Sequence, residues 1–417
     1  MADSVDLLLR GARLATNAET WPADIAIAHE RFAWLGPAGA FDGLCAATVE
    51  LDGLVALPGL VDGHTHFREP GQHAAKGTYA SESRAAAAGG VTTVLTMPNT
   101  MPHTDSLAQL EVVRECARRS LVDYGLQFMV TPHNADALRH VRNVPACKLY
   151  LDETTGITSP LFDERLLRQA MATGLLLTAH AEADTLDRLL ACHRRWGLGP
   201  LYVAHLSLAR EVEAIRAAKA RGQWVHAEVT PHHLFLDTTD AERLGAFGDM
   251  RPTLKSAADV AALWAGLADG TIDTIATDHA PHLRADKARV PAPPGVPGLQ
   301  TMLPLLLDAV AAGRLALADV ARLTARQPAS IFALRGKGEL RVGADADLAL
   351  VDLASAHTIT DDEQLTQPGW TPFAGRRVRG CVVHTVRRGE FILRDGQICA
   401  TAGGREVTCR DGGAWLG

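Results

Sequence analysis

The sequence contains no apolar run of the roughly 18 residues that a membrane-spanning helix requires. Its first five residues, Met1 to Val5, lack the positive segment and the apolar core of a secretory signal peptide. Basic residues are not in excess, since the formal net charge is −7 at pH 7, whereas a nucleic-acid-binding surface favours positive charge. We therefore expect a cytoplasmic protein with no membrane or nucleic-acid partner.

Paired cysteines are also missing, because the seven cysteines form no CxxC motif and are scattered along the chain. They are Cys45, Cys116, Cys147, Cys192, Cys381, Cys399 and Cys409. The pattern indicates neither a disulfide framework nor a cysteine-bound zinc site. It is typical of a reducing compartment, which agrees with the expected location.

The 417 residues are too many for one small domain and suit one large barrel with a minor domain. Short apolar runs broken by turn residues occur at both chain ends and indicate strands. They cover residues 5–9, 24–28, 32–35, 347–351, 378–386 and 390–393. We predict a small β-sandwich composed of residues 1–57 and 340–417.

Between these ends, over residues 58–339, short apolar segments alternate with helical ones, which predicts an α/β fold with a parallel sheet. Eight strands are predicted at 60–66, 92–97, 124–130, 147–151, 175–180, 201–205, 224–229 and 273–277. Helices are predicted at 81–88, 164–172 and 209–221. Eight such units fit a (β/α)8 barrel, whose usual size is roughly 250 residues.

Polar residues that can hold a metal lie in or at the downstream ends of five of these strands. They are His64, His66, Lys148, His180, His205 and Asp278. Because the C-terminal strand ends of a parallel barrel face the same mouth, these residues are expected to converge. One histidine alone is more often a hydrogen-bonded core or surface residue, but the combination on five strands favours a metal centre.

Lys148 is the unusual member of this set, because an ammonium group repels metal ions and a strand lysine usually forms an ion pair. Burial lowers the pKa of a lysine. A neutral amine can then take up CO2 as a carbamate, an anionic ligand with two oxygens that can bridge two cations. Lys148 can join the metal centre only in this modified form.

Six segments carry a family resemblance. They are DGHTHFREPG at 62–71, GGVTTVLTMPNT at 89–100, KLYLDET at 148–154, EVTPHHLFL at 228–236, ATDHAPH at 276–282 and PPGVPGLQTMLPLLL at 293–307. Through them the chain resembles the dihydroorotases of the cyclic amidohydrolase superfamily, in particular the dihydroorotase domain of the multifunctional pyrimidine-biosynthesis protein. The likeness covers essentially the whole chain and implies a (β/α)8 barrel with a small β-sandwich.

The resemblance also implies a centre of two Zn²⁺ ions per subunit. His64, His66 and Asp278 would hold the more buried ion. His180 and His205 would hold the second, with carboxylated Lys148 as the bridge. Asp278 would act as general base and then as general acid in the reversible closure of N-carbamoyl-L-aspartate to (S)-dihydroorotate.

The same comparison implies a set of substrate-binding residues. Arg68, Asn99 and His282 would bind the exocyclic carboxylate, and a guanidinium group suits a carboxylate because it can donate two parallel hydrogen bonds. Weaker matches are Arg251 and Pro294 at substrate-contacting positions and Thr154 on a closing loop that continues to Gly156.

Two departures from the family pattern affect the metal ligands. Ala204 replaces a cysteine linked to an additional metal in the closest relatives, so we expect no third zinc, although Glu228 remains a candidate supporting carboxylate. Asp152 is the alternative bridging residue, since some dihydroorotases use an aspartate there. The remaining histidines with expected structural or surface roles are His73, His103, His193, His226, His232 and His233.

Two alternative functions remain open at this stage. A hydantoinase or allantoinase would share the metal ligands, but Arg68 and the MPNT run favour a substrate that carries a carboxylate. An inactive scaffold that binds aspartate carbamoyltransferase would be expected to lack some ligands, and none is missing. Homodimerisation and association with aspartate carbamoyltransferase are not decided by the sequence.

Overall fold

A computed structural model describes residues 4–15, 20–154 and 162–409. Strands occur along the whole of this part of the chain. They are β1 Ser4–Ala15, β2 Thr20–Ala28, β3 Arg31–Pro37, β4 Leu44–Glu50, β5 Val55–Pro58, β6 Leu60–Thr65, β7 Val91–Thr96, β8 Asp123–Leu126, β9 Phe128–Met129, β10 Cys147–Tyr150, β11 Leu177–His180, β12 Leu201–Val203, β13 Val225–Val229, β14 Thr274–Ile275, β15 Leu348–Thr358, β16 Arg377–Arg387, β17 Glu390–Arg394 and β18 Gln397–Ile398.

Helices alternate with the central strands and continue after them. They are α1 Tyr79–Ala88, α2 Leu107–Ala117, α3 Ala135–His140, α4 Glu164–Met171, α5 Ala183–Trp196, α6 Ala209–Ala220, α7 Pro231–Phe235, α8 Thr238–Leu244, α9 Ala257–Ala268, α10 Arg284–Lys287, α11 Met302–Ala311, α12 Leu317–Ala321 and α13 Gln327–Ile331. None of the helices in the described ranges combines the length and apolar character that a bilayer crossing requires.

Strands from both chain ends pair in one nine-stranded sheet. Its order is β18-β17-β16-β15-β5-β1-β2-β3, and β4 pairs with β1. The N-terminal and C-terminal parts meet where β15 runs antiparallel to β5, with Val351 opposite Val55. The prediction missed β4, because it is exposed and so lacks the in-and-out alternation that marks a half-buried strand. It also missed β5, which is buried but only four residues long.

The central strands are parallel, and all eight predicted strands are present with shifted ends. One sheet has the order β6-β7-β8 and another the order β14-β13-β12-β11-β10-β9. Strands β8 and β9 are consecutive in the chain and separated by Gln127 alone. At the opposite edge of the three-stranded sheet, Thr65 of β6 forms a parallel β-bridge with His279. There the His66 amide donates to the His279 carbonyl at 2.8 Å. The fold is therefore α/β with parallel strands, as predicted.

These strands are apolar and buried along their whole length, the pattern expected of parallel strands covered by helices. Strands β7, β11 and β12 have no exposed residue. Several polar residues lie at or just beyond the C-terminal ends of these strands, among them His64, His180, His205 and Asp278.

A buried ion cluster fastens the terminal sheet to the parallel strands. Nζ of Lys337 lies 2.5 Å from Asp123 at the start of β8, 2.8 Å from Asp347 just before β15, and 3.0 Å from Asp345. Arg388, which follows β16, also pairs with Asp123. Burial alone would lower the pKa of Lys337, but the three carboxylates raise it above its usual value.

We predict that Lys337→Met destabilises the protein by about 3–5 kcal/mol, because it leaves buried carboxylates without their cation. Urea denaturation measures this change. Arg341→Met is the matched control, since Arg341 pairs with Glu339 at the surface and its removal should cost at most ~1 kcal/mol. Equal destabilisation by the two variants would show that the cluster does not fasten the fold.

Candidate active site

Three predicted metal ligands from distant parts of the chain converge at the ends of the parallel strands. Oδ1 of Asp278 lies 2.9 Å from Nε2 of His66 and 3.3 Å from Nε2 of His64. The two Nε2 atoms are 3.2 Å apart. All three residues are buried. Convergence of the strand ends therefore places them around one point.

The hydrogen bond made by Nδ1 of each histidine ring determines whether Nε2 of that ring is a donor or an acceptor. Nδ1 of His64 lies 2.8 Å from Oε1 of Glu228, and Nδ1 of His66 lies 2.6 Å from Oδ1 of Asn99. Both oxygens only accept, so each Nδ1 donates and each Nε2 presents a lone pair. With Asp278, three acceptors face one another in a buried place. A cation at their centre satisfies all three, so the residues fit a metal ion.

A second pair of facing nitrogens lies beside this cluster, and ligand atoms of His64, His205 and Asp278 all lie within 4.8 Å of one another. Nδ1 of His180 lies 2.8 Å from Nε2 of His205. Nδ1 of His205 and Nζ of Lys148 have no hydrogen-bond partner in the described ranges. Nearby, Nε2 of His180 lies 3.3 Å from Oε1 of Glu182. Such an incompletely bonded set suits further metal coordination.

Lys148 is fully buried, and burial lowers the pKa of its amine to about 8. Burial disfavours the ammonium form, so the neutral amine that carbamate formation requires is more populated than in an exposed lysine. Asp152, the alternative bridge, is engaged elsewhere. Its carboxylate accepts from the Glu182 amide at 2.7 Å and from the Thr185 hydroxyl at 2.8 Å. The geometry thus favours Lys148.

Backbone strain occurs at two of the converging residues. His205 has φ 39° and Asp278 has φ 46°, in the left-handed region that non-glycine residues seldom occupy. Each residue stands just beyond a short parallel strand, β12 or β14. Strained conformations of this kind persist where the surroundings enforce them and are common at functional sites.

Buried acids that the sequence analysis did not single out hold the strand ends. Asp62 accepts from the His64 amide at 3.1 Å and from the amide and hydroxyl of Thr277 at 3.1 and 2.6 Å. Glu82 accepts from Nε2 of His279 at 2.8 Å. For Asp62 the signal that could have revealed it was a carboxylate inside the strand β6, whereas Glu82 lies among Ser81, Ser83 and Arg84 and has no such signal.

Glu228, which the sequence analysis named, is also a buried acid, and it contacts both His64 and His205. Besides His64, it accepts from the His205 amide at 3.1 Å and from the Tyr202 hydroxyl at 2.7 Å. The supporting role expected for Glu228 is consistent with these contacts. His232 and His233 are also buried nearby, and His233 is held by Thr230 and by the carbonyl of Pro252.

The predicted substrate residues line the mouth of this centre. A small cavity is bordered by His66, Arg68, Asn99, Thr154, Arg251 and Pro294 together with Asp278. Arg68 is buried, and burial lowers its pKa to about 10. Its Nη2 lies 3.3 Å from Nε2 of His282. Gly156, the remainder of the predicted closing loop, lies outside the described residues.

Asn99 has a contact that the substrate-binding prediction did not include. Its side-chain oxygen faces His66 at 2.6 Å, and the residue also borders the cavity.

Among the other histidines, His193 bonds to the Gly199 carbonyl, and His226 lies 3.7 Å from Asp273. His73 borders the outer cavity beside Arg68.

A family model and named relatives match most of the chain. The model of the amidohydrolase family matches residues 55–392. A dihydroorotase of Halobacterium salinarum is 39% identical, with 96% of this chain and 100% of that protein covered. The multifunctional protein CAD of Squalus acanthias is also 39% identical, over 85% of this chain, but the chain spans only 16% of that protein.

Solved structures also resemble this fold over nearly the whole chain. The L-hydantoinase (dihydropyrimidinase) of Arthrobacter aurescens has a TM-score of 0.91 and 28% identity, and covers 97% of this chain and 100% of its own. The dihydropyrimidinase of Brevibacillus agri has a TM-score of 0.88 and 25% identity, with 96% and 98% covered.

We predict that Glu228→Gln lowers metal affinity by about 10–100-fold, because the carboxylate that orients a ligating histidine is lost. Chelator competition with the purified protein measures this. Glu211→Gln is the control, because Glu211 is also buried but accepts mainly from the backbone amides of Ala183, Ser207 and Leu208. Equal metal affinity in the wild type and the Glu228 variant would contradict the assignment.

Proposed function

Because the chain belongs to the amidohydrolase family and to its dihydroorotase branch, we propose that it interconverts N-carbamoyl-L-aspartate and (S)-dihydroorotate. Curated dihydroorotases at 34–39% identity that match most of the chain support this reaction. The observation that carries the proposal is a buried guanidinium, Arg68, at the mouth of a three-acceptor centre. In a cyclic amide with a carboxylate substituent, the carboxylate suits Arg68 and the amide suits the centre.

We infer that the centre holds two zinc ions. His64, His66 and Asp278 would bind one, His180 and His205 would bind the other, and Lys148 would bridge them as its carbamate. Two such ions supply an activated water at neutral pH and polarise the amide carbonyl. Three observations support this ligand set: the lone pairs fixed by Glu228 and Asn99, the 2.8 Å approach of Nδ1 of His180 to Nε2 of His205, and the lack of a hydrogen-bond partner for Nζ of Lys148 in the described ranges.

Asp278 is the proposed proton carrier of the reaction. Its carboxylate borders the same small cavity as Arg68 and Pro294, so it can reach a substrate held there. It would accept a proton from the attacking water and deliver it to the departing ring nitrogen. In the reverse direction it would remove the proton from the ureido nitrogen that closes the ring.

Arg68, with His282 beside it, would determine the orientation of the bound substrate. A guanidinium binds a carboxylate through two parallel hydrogen bonds, and burial strengthens the interaction. With the carboxylate at Arg68, the ring amide is left to face Asp278. Thr154, Arg251 and Asn99 border the remaining sides of the cavity and would complete the substrate contacts.

The architecture that we propose is a (β/α)8 barrel of residues 58–339 with a β-sandwich of residues 1–57 and 340–417. Two links support closure of the parallel strands. One is the chain continuity of β8 and β9, and the other is the bridge between Thr65 and His279. The hydantoinase structures share the fold over nearly the whole chain.

A hydantoinase is the second candidate, because solved hydantoinases match this fold with a TM-score up to 0.91. Hydantoin rings need no cationic site for a carboxylate. The buried Arg68 with His282 and the higher identity to dihydroorotases both favour the first candidate.

We predict that the zinc-loaded protein hydrolyses dihydroorotate much faster than hydantoin or allantoin. Arg68→Met should lower kcat/KM for dihydroorotate by about 100-fold or more, because hydrogen bonds to a charged group are lost, while zinc content stays the same. A steady-state assay with each ring measures this. Turnover of hydantoin or allantoin alone would contradict the proposed reaction.

We predict that Lys148→Met binds at most one zinc ion per chain, whereas the wild type binds two, because the bridging ligand is lost. Metal analysis after gel filtration gives the number. Lys219→Met is the control, since Lys219 pairs with Asp273 away from the centre. Two tightly bound ions in the Lys148 variant would exclude the carbamate bridge.

A further inference from the structure

A lysine outside the predicted set, Lys76, lies against the ring of His282. It is the last residue of a short 3-10 turn, Ala74–Lys76, and its side chain is 17% exposed. Its Nζ lies 3.3 Å from Nδ1 of His282. On the opposite side of the ring, Nη2 of Arg68 lies 3.3 Å from Nε2. One imidazole is therefore held between two cations.

Two donors compete for one acceptor in this arrangement. Lysine and arginine side chains only donate hydrogen bonds, and a neutral imidazole has a single lone pair. Only one of the two cations can therefore donate to the ring, and the carbonyl of Pro294 is an acceptor for a ring N–H. The ring is neutral, since burial and the nearby Arg68 and Lys76 hold the pKa of His282 well below its usual value.

An anion in the adjoining cavity removes this conflict. The cavity has a volume of about 210 Å³ and is bordered by Arg68, Lys76, Asn99 and His282. A carboxylate bound by Arg68 accepts but cannot donate, so the ring nitrogen on the Arg68 side, Nε2, must carry the proton. The lone pair is then on Nδ1, which lies 3.3 Å from the donor Nζ of Lys76.

We propose that Lys76 is a positioning residue, which donates to Nδ1 of His282 and so fixes the tautomer whose Nε2–H binds the substrate carboxylate. This inference rests on the proposed function, because it requires a substrate with a carboxylate. Two other groups adjoin the pair. Oδ2 of Asp286 lies 3.5 Å from Nζ of Lys76, and the carbonyl of Pro294 is a further acceptor beside the ring.

The kinetic test uses the zinc-loaded full chain. Lys76→Met should raise KM for dihydroorotate by about tenfold or more, the effect of one hydrogen bond to a charged group. It should leave kcat and zinc content within about twofold, because Lys76 touches none of the proposed metal ligands. Lys76→Arg retains a donor and should restore most of the affinity. Lys219→Met is the surface control.

Asp286→Asn separates this role from a merely structural ion pair. It removes the partner carboxylate but leaves the amine on the His282 ring, so KM should change little. An unchanged KM in Lys76→Met would overturn the proposal. So would a KM in Asp286→Asn that is raised as much as in Lys76→Met.

Nitrogen-15 spectra of the histidine rings test the tautomer without any change to Lys76. In the wild type bound to orotate, a planar ring with the same carboxylate, His282 should show a protonated Nε2 and an unprotonated Nδ1. The signals of His282 are assigned by their absence from the spectrum of His282→Asn. A protonated Nδ1 overturns the inference. If the wild-type protein does not turn over dihydroorotate, the proposed function is wrong. The tautomer of His282 is then measured in the protein without ligand.

Discussion

Three buried atoms that can each bind a cation face one another, and this close approach is the constraint on which the site depends. Nε2 of His64, Nε2 of His66 and Oδ1 of Asp278 lie within 3.3 Å of each other. Their mutual repulsion is tolerable only if a cation joins them. The protein can hold this arrangement because the far side of each ring is already bonded, to Glu228 or to Asn99.

Buried carboxylates provide the framework behind this cluster. Asp62 ties the end of β6 to Thr277, Glu82 holds His279, and Glu228 spans both proposed metal positions. The charges in front of the cluster are of the opposite sign, with Arg68 and Lys76 around His282. The site thus has an acceptor-rich floor and a cationic mouth.

Much of this could be predicted from the sequence, because burial makes parallel strands uniformly apolar and leaves polar residues at their ends. His64, His180, His205 and Asp278 were found for that reason. The terminal strand β4 was missed because it is exposed on both faces. Contacts that join residues about 200 positions apart, such as His279 with Glu82 or His282 with Lys76, depend on how the strands and loops are packed together, and no local pattern encodes them.

The most direct test of the two-ion account is a crystal structure of the zinc-loaded protein with orotate, with anomalous scattering recorded at the zinc edge. The account predicts two peaks about 3.5–4 Å apart, the usual spacing of a two-metal site, with carbamate density on Lys148 and the ligand carboxylate against Arg68. A single peak with an unmodified Lys148, or a carboxylate turned away from Arg68, would contradict it.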